Sequence, residues 1–266
     1  MLTRNSPELP DLWPVADALA DAARVETLRY FRGSGLATES KRDDFDPVTV
    51  ADRNAEAAMR SLLSDLRPDD AVIGEEHGNK SGTTGLTWVL DPIDGTRGFI
   101  SGTPTWGVLI SVADADGPFL GIVDQPYVRE RFSGGMGRAE VAGPLGTRVL
   151  KVKETTALSQ ATVFTTFPEV GTASEGAAFH RVARGSKLTR YGCDCYAYAL
   201  LAAGQIDLVI EAGLQSYDIQ APIAVIEAAG GIVTNWEGEP VHNGGRALAA
   251  ATPELHAVAM ELLEGA

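Results

Sequence analysis

The amino-acid sequence predicts an α+β half followed by an α/β half. In the first half, two amphipathic helical patterns precede short apolar segments separated by turns rich in Gly and Asp. From about residue 160 the pattern changes to strands that alternate with helices. A chain of 266 residues can form one large domain or two fused subdomains that share a core. We place the subdomains at 1–155 and 156–266.

The first half begins with two predicted helices, at 12–31 and 51–66, where apolar residues recur at helical spacing. Gly33 and Gly35 end the first helix, and the polar residues 36–46 are expected to form a mobile loop. An antiparallel sheet then follows, with a Gly-rich connection before its last strand. The predicted strands of this half are 71–73, 87–90, 105–113, 119–123, 131–133 and 149–152.

The second half alternates strands with helices, as expected for an α/β arrangement. Its predicted strands are 161–166, 187–191, 207–211, 232–234 and 247–251. Its predicted helices are 173–183, 196–203, 219–229 and 253–263.

The composition limits the classes of partner. A formal net charge of −14 argues against binding to nucleic acid or to an anionic membrane surface. The two cysteines, Cys193 and Cys195, are too close in sequence to favour a disulfide, which fits a reducing compartment. The N-terminal residues lack the pattern of a signal peptide, and no stretch approaches the ~20 apolar residues of a membrane span. We therefore expect a cytoplasmic protein.

The segment 88–96 contains the most informative motif of the chain. Three apolar residues predict a buried strand that carries Asp91 to the edge of a sheet, where Pro92 is expected to end the strand. Asp94 follows, and Gly95 allows a tight turn and a close backbone approach to a ligand. Two carboxylates on one rigid turn suit hard cations and phosphate. A strand followed by an ordinary capped turn is the alternative explanation.

Four other segments strengthen the first interpretation. They are 46–52, 73–77, 216–222 and 227–231. Together with 88–99, and in this order, they resemble the inositol monophosphatase superfamily of magnesium-dependent, lithium-sensitive phosphatases. The resemblance covers nearly the whole chain. It implies a layered α/β/α/β/α sandwich of the inositol monophosphatase and fructose-1,6-bisphosphatase type, and a homodimer.

The resemblance also implies a set of ligands for two to three Mg²⁺ ions in each active site. Glu75, Asp91 and the backbone carbonyl of Ile93 would hold the first ion, and Asp91, Asp94 and Asp218 the second. A third, weaker ion would lie near Glu75, which is also counted as catalytic. Asp218 can alternatively cap the helix that begins near residue 219, and both roles are compatible. The first subdomain would thus carry most of the metal ligands, and the second would carry Asp218 and the specificity pocket.

The residues for phosphate binding and water activation are inferred in the same way. The backbone N–H groups of Gly95 and Thr96 can contact the phosphate. The resemblance implies that Thr96 and Asp52 orient and deprotonate the attacking water. Asp52 can instead be an ordinary capping residue of the second helix, together with Thr49. Lys41 matches a loop lysine that points into the site in many relatives, but a solvated lysine is an equal alternative.

Two segments favour one substrate. The residues 95–110, which include Arg97, and 190–199, which include Arg190 and Asp194, resemble the histidinol-phosphate phosphatase branch of the superfamily. Glu211 matches the acid that contacts the substrate alcohol in inositol enzymes. Histidinol phosphate carries an ammonium and an imidazole, so two carboxylates in the alcohol pocket suit it better than a neutral cyclitol.

Other interpretations of these segments remain open. Asp194 can also be a turn or capping acid before the helix predicted at 196–203. The nearest alternative activity is an inositol-1-phosphate or broad sugar-phosphate phosphatase. A nucleotide 3′-phosphatase is disfavoured, because the sequence contains no clear base-stacking motif. A regulatory relative without activity is disfavoured because the ligand positions are intact.

Overall fold

The computed structural model describes residues 1–33, 38–40 and 47–265. The helices are α1 Trp13–Tyr30, α2 Val50–Leu66, α3 Thr96–Ile100, α4 Ala173–Gly185, α5 Asp194–Ala202, α6 Ser216–Ala228 and α7 Pro253–Leu263. The first strands are β1 Thr38–Ser40, β2 Pro47–Thr49, β3 Ala71–Gly74, β4 Gly78–Lys80, β5 Thr87–Asp94, β6 Gly107–Asp114, β7 Gly117–Gln125, β8 Glu130–Gly135, β9 Arg138–Gly143 and β10 Gly146–Val149. The later strands are β11 Thr162–Thr165, β12 Leu188–Tyr191, β13 Leu208–Gln215, β14 Ile232–Thr234 and β15 Gly244–Ala250. Within these ranges no helix is both long and apolar enough to cross a bilayer.

Two large sheets organise the chain. The first has eight strands in the order β10-β9-β8-β7-β6-β5-β3-β4, and it is antiparallel except for the β3–β5 pair. The second has five strands in the order β12-β11-β13-β15-β14, with β11 parallel to both of its neighbours. The predicted subdomain boundary at residue 155 lies between these sheets in sequence, and the division itself stays a prediction.

The helices complete a five-layer arrangement. Helices α1 and α2 pack on one face of the eight-stranded sheet, and α4 and α7 pack together on the far side of the five-stranded sheet. Helices α5 and α6 lie between the two sheets. Residues Ile219–Ile226 of α6 are all buried, as expected for a helix covered on both sides. The α/β/α/β/α sandwich is therefore confirmed.

One error of the sequence analysis concerns the central motif. Pro92 does not end the strand, because β5 continues to Asp94. The pairing of β5 with β6 shifts register between Asp91 and Asp94. An irregular stretch of this kind tolerates a proline, which has no N–H to contribute to the ladder. As a result, both aspartates belong to one rigid, kinked strand and not to a loop.

Other strands and helices were predicted with the wrong bounds or were not predicted. Within the expected loop 36–46, Thr38–Ser40 form a strand that pairs with β2, and the rest of that segment lies outside the described residues. The sequence analysis missed β4 and also β9, which lies in the Gly-rich connection, and it placed β10 three residues too late. Glycines in turns permit the positive φ of tight hairpins, as at Gly137 with φ 81°. Helix α5 starts at Asp194 and not at residue 196.

Candidate active site

Three carboxylates converge where β5 meets α6. Asp91 and Asp94 come from the kinked part of β5, and Asp218 comes from the first turn of α6. One ligand oxygen from each lies within 4.8 Å of the others. Asp91 is almost fully buried. The burial of α6 between the sheets fixes its first turn beside the kink, so residues 124 positions apart meet, counting from Asp94 to Asp218.

The electrostatics of this cluster suit a bound cation. The pKa of Asp91 lies well above its usual range because of burial, and because the carboxylates of Glu75, Asp94 and Asp218 repel its charge. Asp91 and Glu75 are also within hydrogen-bond contact of each other. Burial likewise raises the pKa of Asp94. Hard oxygen donors in a partly buried group suit Mg²⁺ and not a soft metal. The residues present therefore fit the expected ion.

Asp52 and Thr96 meet beside this cluster. The Thr96 hydroxyl donates to Asp52 Oδ1 at 3.4 Å and to the backbone carbonyl of Ile93 at 3.1 Å. Asp52 Oδ2 accepts from the Thr49 hydroxyl at 2.5 Å and from its N–H at 2.9 Å. Asp52 is thus a helix-capping residue through one oxygen, while its other oxygen faces Thr96. Burial raises the pKa of Asp52 to about 6, although the bonds from Thr49 oppose the shift.

A close approach of two backbone segments brings Asp194 into the site. Gly95 has a φ of 83°, and a Cβ atom there would lie 2.9 Å from the Asp194 carboxyl carbon. Asp194 begins α5 with a φ of 46°, in the left-handed region. The next residue, Cys195, donates its N–H to Asp94 Oδ2 at 2.6 Å. The start of α5 is therefore attached directly to the carboxylate cluster.

Glu211 lines the same cleft from the centre of β13. Its Oε1 accepts from the Thr166 N–H at 2.7 Å and from the Thr166 hydroxyl at 2.9 Å, and its Oε2 accepts from Thr165 at 3.2 Å. Burial raises the pKa of Glu211 to about 7 against these bonds. Arg97 stacks over the Phe167 ring at 5.0 Å.

The structure brings together most of the residues selected from the sequence. One cleft is lined by Glu75, Asp91, Ile93, Asp94, Gly95, Thr96, Arg97, Asp194, Glu211 and Asp218. Asp52 lies just behind Thr96, at the contact described above. Arg190 is exposed on β12 and does not line this cleft. Lys41 lies outside the described residues.

The sequence analysis missed several residues of the site. Tyr198 lines the cleft from α5, and its buried hydroxyl has no hydrogen-bond partner among the described residues. Thr165 and Thr166 hold Glu211. Glu56 on α2 is fully buried and contacts the loop that carries Glu75. Its position four residues after Asp52, on the same helix face, is the signal that could have revealed it.

The layered sandwich with this acidic cleft defines a phosphatase class, and the family follows from comparison. The inositol monophosphatase family profile matches residues 11–266, so the chain belongs to the inositol monophosphatase family. It is accordingly a phosphoric monoester hydrolase.

Individual relatives agree with this assignment. A chloroplastic bifunctional phosphatase of Arabidopsis thaliana is 41% identical over 97% of this chain and 76% of its own length. A histidinol-phosphatase of Streptomyces coelicolor is 34% identical over 94% of this chain and 96% of its own. An inositol monophosphatase structure from Zymomonas mobilis superposes with a TM-score of 0.83 at 34% identity, covering 96% of this chain and all of the other.

Proposed function

We propose that this phosphatase hydrolyses L-histidinol phosphate to L-histidinol and phosphate in histidine biosynthesis, with Mg²⁺ as its cofactor. The observation that carries the proposal is the pair of acids, Asp194 and Glu211, in the cleft that also contains the carboxylate cluster. Acids in this position suit a substrate whose alcohol portion is cationic. The similarity to named histidinol-phosphatases supports the same substrate.

The carboxylate cluster would hold the metal and the phosphate end of the substrate. Asp91, Asp94 and Asp218 supply converging oxygens, and Glu75 and the Ile93 carbonyl lie beside them. When bound, Mg²⁺ would neutralise phosphate charge and lower the pKa of a bound water, as divalent ions do in phosphatases. The N–H groups of Gly95 and Thr96 would orient the phosphate oxygens.

Thr96 and Asp52 would prepare the attacking water. The Thr96 hydroxyl directs its proton towards Asp52 and the Ile93 carbonyl, so its oxygen can accept a hydrogen bond from a water in the cleft. Asp52 would take up the proton through Thr96 once the water attacks phosphorus. A pKa of about 6 suits this role, because the carboxylate is mostly ionised at neutral pH yet basic enough to hold a proton.

The cationic end of the substrate would contact Asp194 and Glu211. Burial raises the pKa of Asp194 to about 6, and the nearby Arg97 guanidinium opposes this shift and so helps to keep the acid charged. The bonds from Thr166 have the same effect on Glu211. Arg190 enters the proposal through the resemblance of 190–199 alone. The expected homodimer and cytoplasmic location are likewise carried forward as proposals.

A comparison of three substrates tests this function. We expect kcat/KM for histidinol phosphate to exceed that for inositol-1-phosphate and for 4-nitrophenyl phosphate by about 10-fold or more, one charge-assisted hydrogen bond being sufficient for that ratio. All three activities should disappear on treatment with EDTA and return with Mg²⁺. A higher kcat/KM for inositol-1-phosphate would favour the broad sugar-phosphate phosphatase instead. Activity that persists in EDTA would contradict the metal assignment.

A further inference from the structure

Glu56 is a fully buried residue outside the cleft, and its carboxylate contacts the loop between β3 and β4. It accepts the backbone N–H of Glu76 at 2.6 Å and that of His77 at 3.1 Å. The Arg60 guanidinium donates to the same carboxylate at 2.6 Å and also donates to the Gly78 carbonyl. The buried charge is thus compensated by one arginine and two backbone donors.

These contacts hold the short loop that carries Glu75. Strands β3 and β4 pair from Gly74 to Gly78, so residues 75–77 form a three-residue hairpin loop. Gly74 lies directly against Glu56, and a Cβ atom there would come 2.1 Å from Glu56 Oε1. A side chain at Gly74 would therefore displace the carboxylate. The Glu56 carboxylate therefore binds the backbone N–H groups of the loop and also packs against Gly74, the residue that precedes the loop.

Helix α2 consequently serves both parts of the active site. Asp52, Glu56 and Arg60 are four residues apart and lie on one face of the helix. Asp52 holds Thr96, and Glu56 holds the loop next to Glu75. We propose that Glu56 is a positioning residue that orients the Glu75 carboxylate for Mg²⁺ binding. This inference rests on the proposed metal site, of which Glu75 is a part.

Binding of Mg²⁺ to the substrate-free protein is the sharpest test, because it does not depend on turnover. In Glu56→Gln the amide cannot accept both backbone N–H groups and the arginine together. Titration calorimetry with MgCl₂ should show a Kd raised about 10- to 100-fold, the usual effect of residues that orient a metal ligand. In assays, the Mg²⁺ concentration for half-maximal rate should rise in parallel. KM for the substrate at saturating Mg²⁺ should change by less than about threefold.

Asp70→Asn is the matched control. Asp70 is also buried and bonded to an arginine, Arg67, and to Thr84 and Trp88, but it lies at the opposite end of β3. This variant should lose thermal stability while Mg²⁺ affinity stays unchanged. If Glu56→Gln behaves like Asp70→Asn, Glu56 only stabilises the fold and the inference is wrong.

Two further outcomes keep the test decisive. If Glu56→Gln does not fold, Glu56→Asp takes its place, because it keeps a buried carboxylate as the partner of Arg60 but is one methylene shorter and withdraws the acceptor from the Glu76 and His77 N–H groups. It should weaken Mg²⁺ binding several-fold, and unchanged binding would overturn the proposal. Failure of the parent protein to bind Mg²⁺ would instead overturn the metal site itself, which separates the two ideas.

Discussion

The cleft contains two groups of acids that differ in how close their carboxylates are. In the group proposed to bind metal, here called the metal end, Asp91, Asp94 and Asp218 bring oxygens within 4.8 Å of one another. Repulsion among carboxylates therefore adds to burial in raising the pKa of Asp91. The pair proposed to bind the substrate cation, here called the cation end, consists of Asp194 at the start of α5 and Glu211 on β13. Burial is again the first cause of their raised pKa values, and only one neighbouring carboxylate adds to each shift, Asp218 for Asp194 and Asp194 for Glu211.

This difference indicates the charge of the ligand that each end can accept. Crowded carboxylates remain ionised together only when a divalent cation lies between them. Separate carboxylates, each held by local donors, suit single positive charges such as an ammonium or an imidazolium. Thr166 holds Glu211, and Arg97 lies near Asp194. The comparison therefore predicts that substitutions at the two ends will differ in which substrates they affect.

The largest effect is expected from Asp91→Asn at the metal end. Loss of a carboxylate proposed to bind both ions should lower kcat/KM for every substrate by more than about 10²-fold, beyond the effect of residues that only orient a ligand. Without Mg²⁺ the variant should melt at the same temperature as the parent or higher. The raised pKa of Asp91 explains this: the group favours folding only while protonated, and this contribution is lost as pH rises through its folded pKa.

Thermal melts with and without MgCl₂ check both parts of this prediction. The parent should gain melting temperature on addition of Mg²⁺, because the ion binds the folded state, and the variant should gain much less. A variant with nearly normal turnover at saturating Mg²⁺ would contradict the assigned site.

A smaller effect, still common to all substrates, is expected from Thr96→Ala. The substitution removes the hydroxyl between Asp52 and the proposed water, so kcat should fall about 10²-fold with little change in KM. Thr103→Ala is the control, because Thr103 carries an exposed hydroxyl just beyond the same short helix, bonded to Gly98. A rise in KM alone would show that Thr96 only contacts phosphate.

The metal end was easier to predict from sequence than the cation end. Asp91 and Asp94 lie three residues apart, so one short motif reveals them. Even there, the sequence did not reveal that β5 continues through Pro92, because the register shift depends on pairing with β6. The layered fold followed from the order of helices and strands, whereas β4 was missed because it has no apolar side chain, and β9 because it contains a single β-branched residue.

Buried polar residues were the hardest to recognise. A glutamate such as Glu56 is typical of a solvated helix face; its spacing from Asp52 places it on the face of α2 that serves the site, but its contacts with the hairpin loop depend on tertiary packing. Tyr198 lies in an apolar helix and is indistinguishable from a core residue by pattern. The left-handed φ of Asp194 and its close approach to Gly95 likewise have no local signal in the sequence.

The left-handed φ of Asp194 determines which substitution best tests the cation end. Asp194→Asn removes the charge but keeps a residue that tolerates positive φ, whereas alanine would add backbone strain. Loss of a charge-assisted bond worth about 1.5–3 kcal/mol should lower kcat/KM for histidinol phosphate roughly 10- to 150-fold. Hydrolysis of 4-nitrophenyl phosphate, which has no cation, should change little. An equal decrease with both substrates would indicate a disturbed metal end instead.

The smallest expected effect is a change in substrate preference with pH, and it tests the cation end separately from the metal end. Glu211, with a pKa of about 7, binds a cation when ionised, so this contribution should be present above pH 7 and decline as pH falls through that value. The ratio of kcat/KM for histidinol phosphate to that for 4-nitrophenyl phosphate should therefore fall about 10-fold between pH 8 and pH 6, following the ionised fraction. The protonation of Asp52 lowers both rates and cancels in this ratio.

Glu211→Gln provides the reference, because it keeps acceptor and donor groups for Thr165 and Thr166 but cannot ionise. The imidazole of the substrate titrates in the same pH range, and it does so identically with either protein. When the substrate ratio of the parent is divided by that of the variant, the remaining pH dependence is therefore caused only by the titration of Glu211. A quotient that does not change with pH would mean that Glu211 carries no charge-dependent contact with the substrate. Asp194 would then be the sole anionic partner proposed for the cation, and the two ends of the cleft would differ less than their geometry indicates.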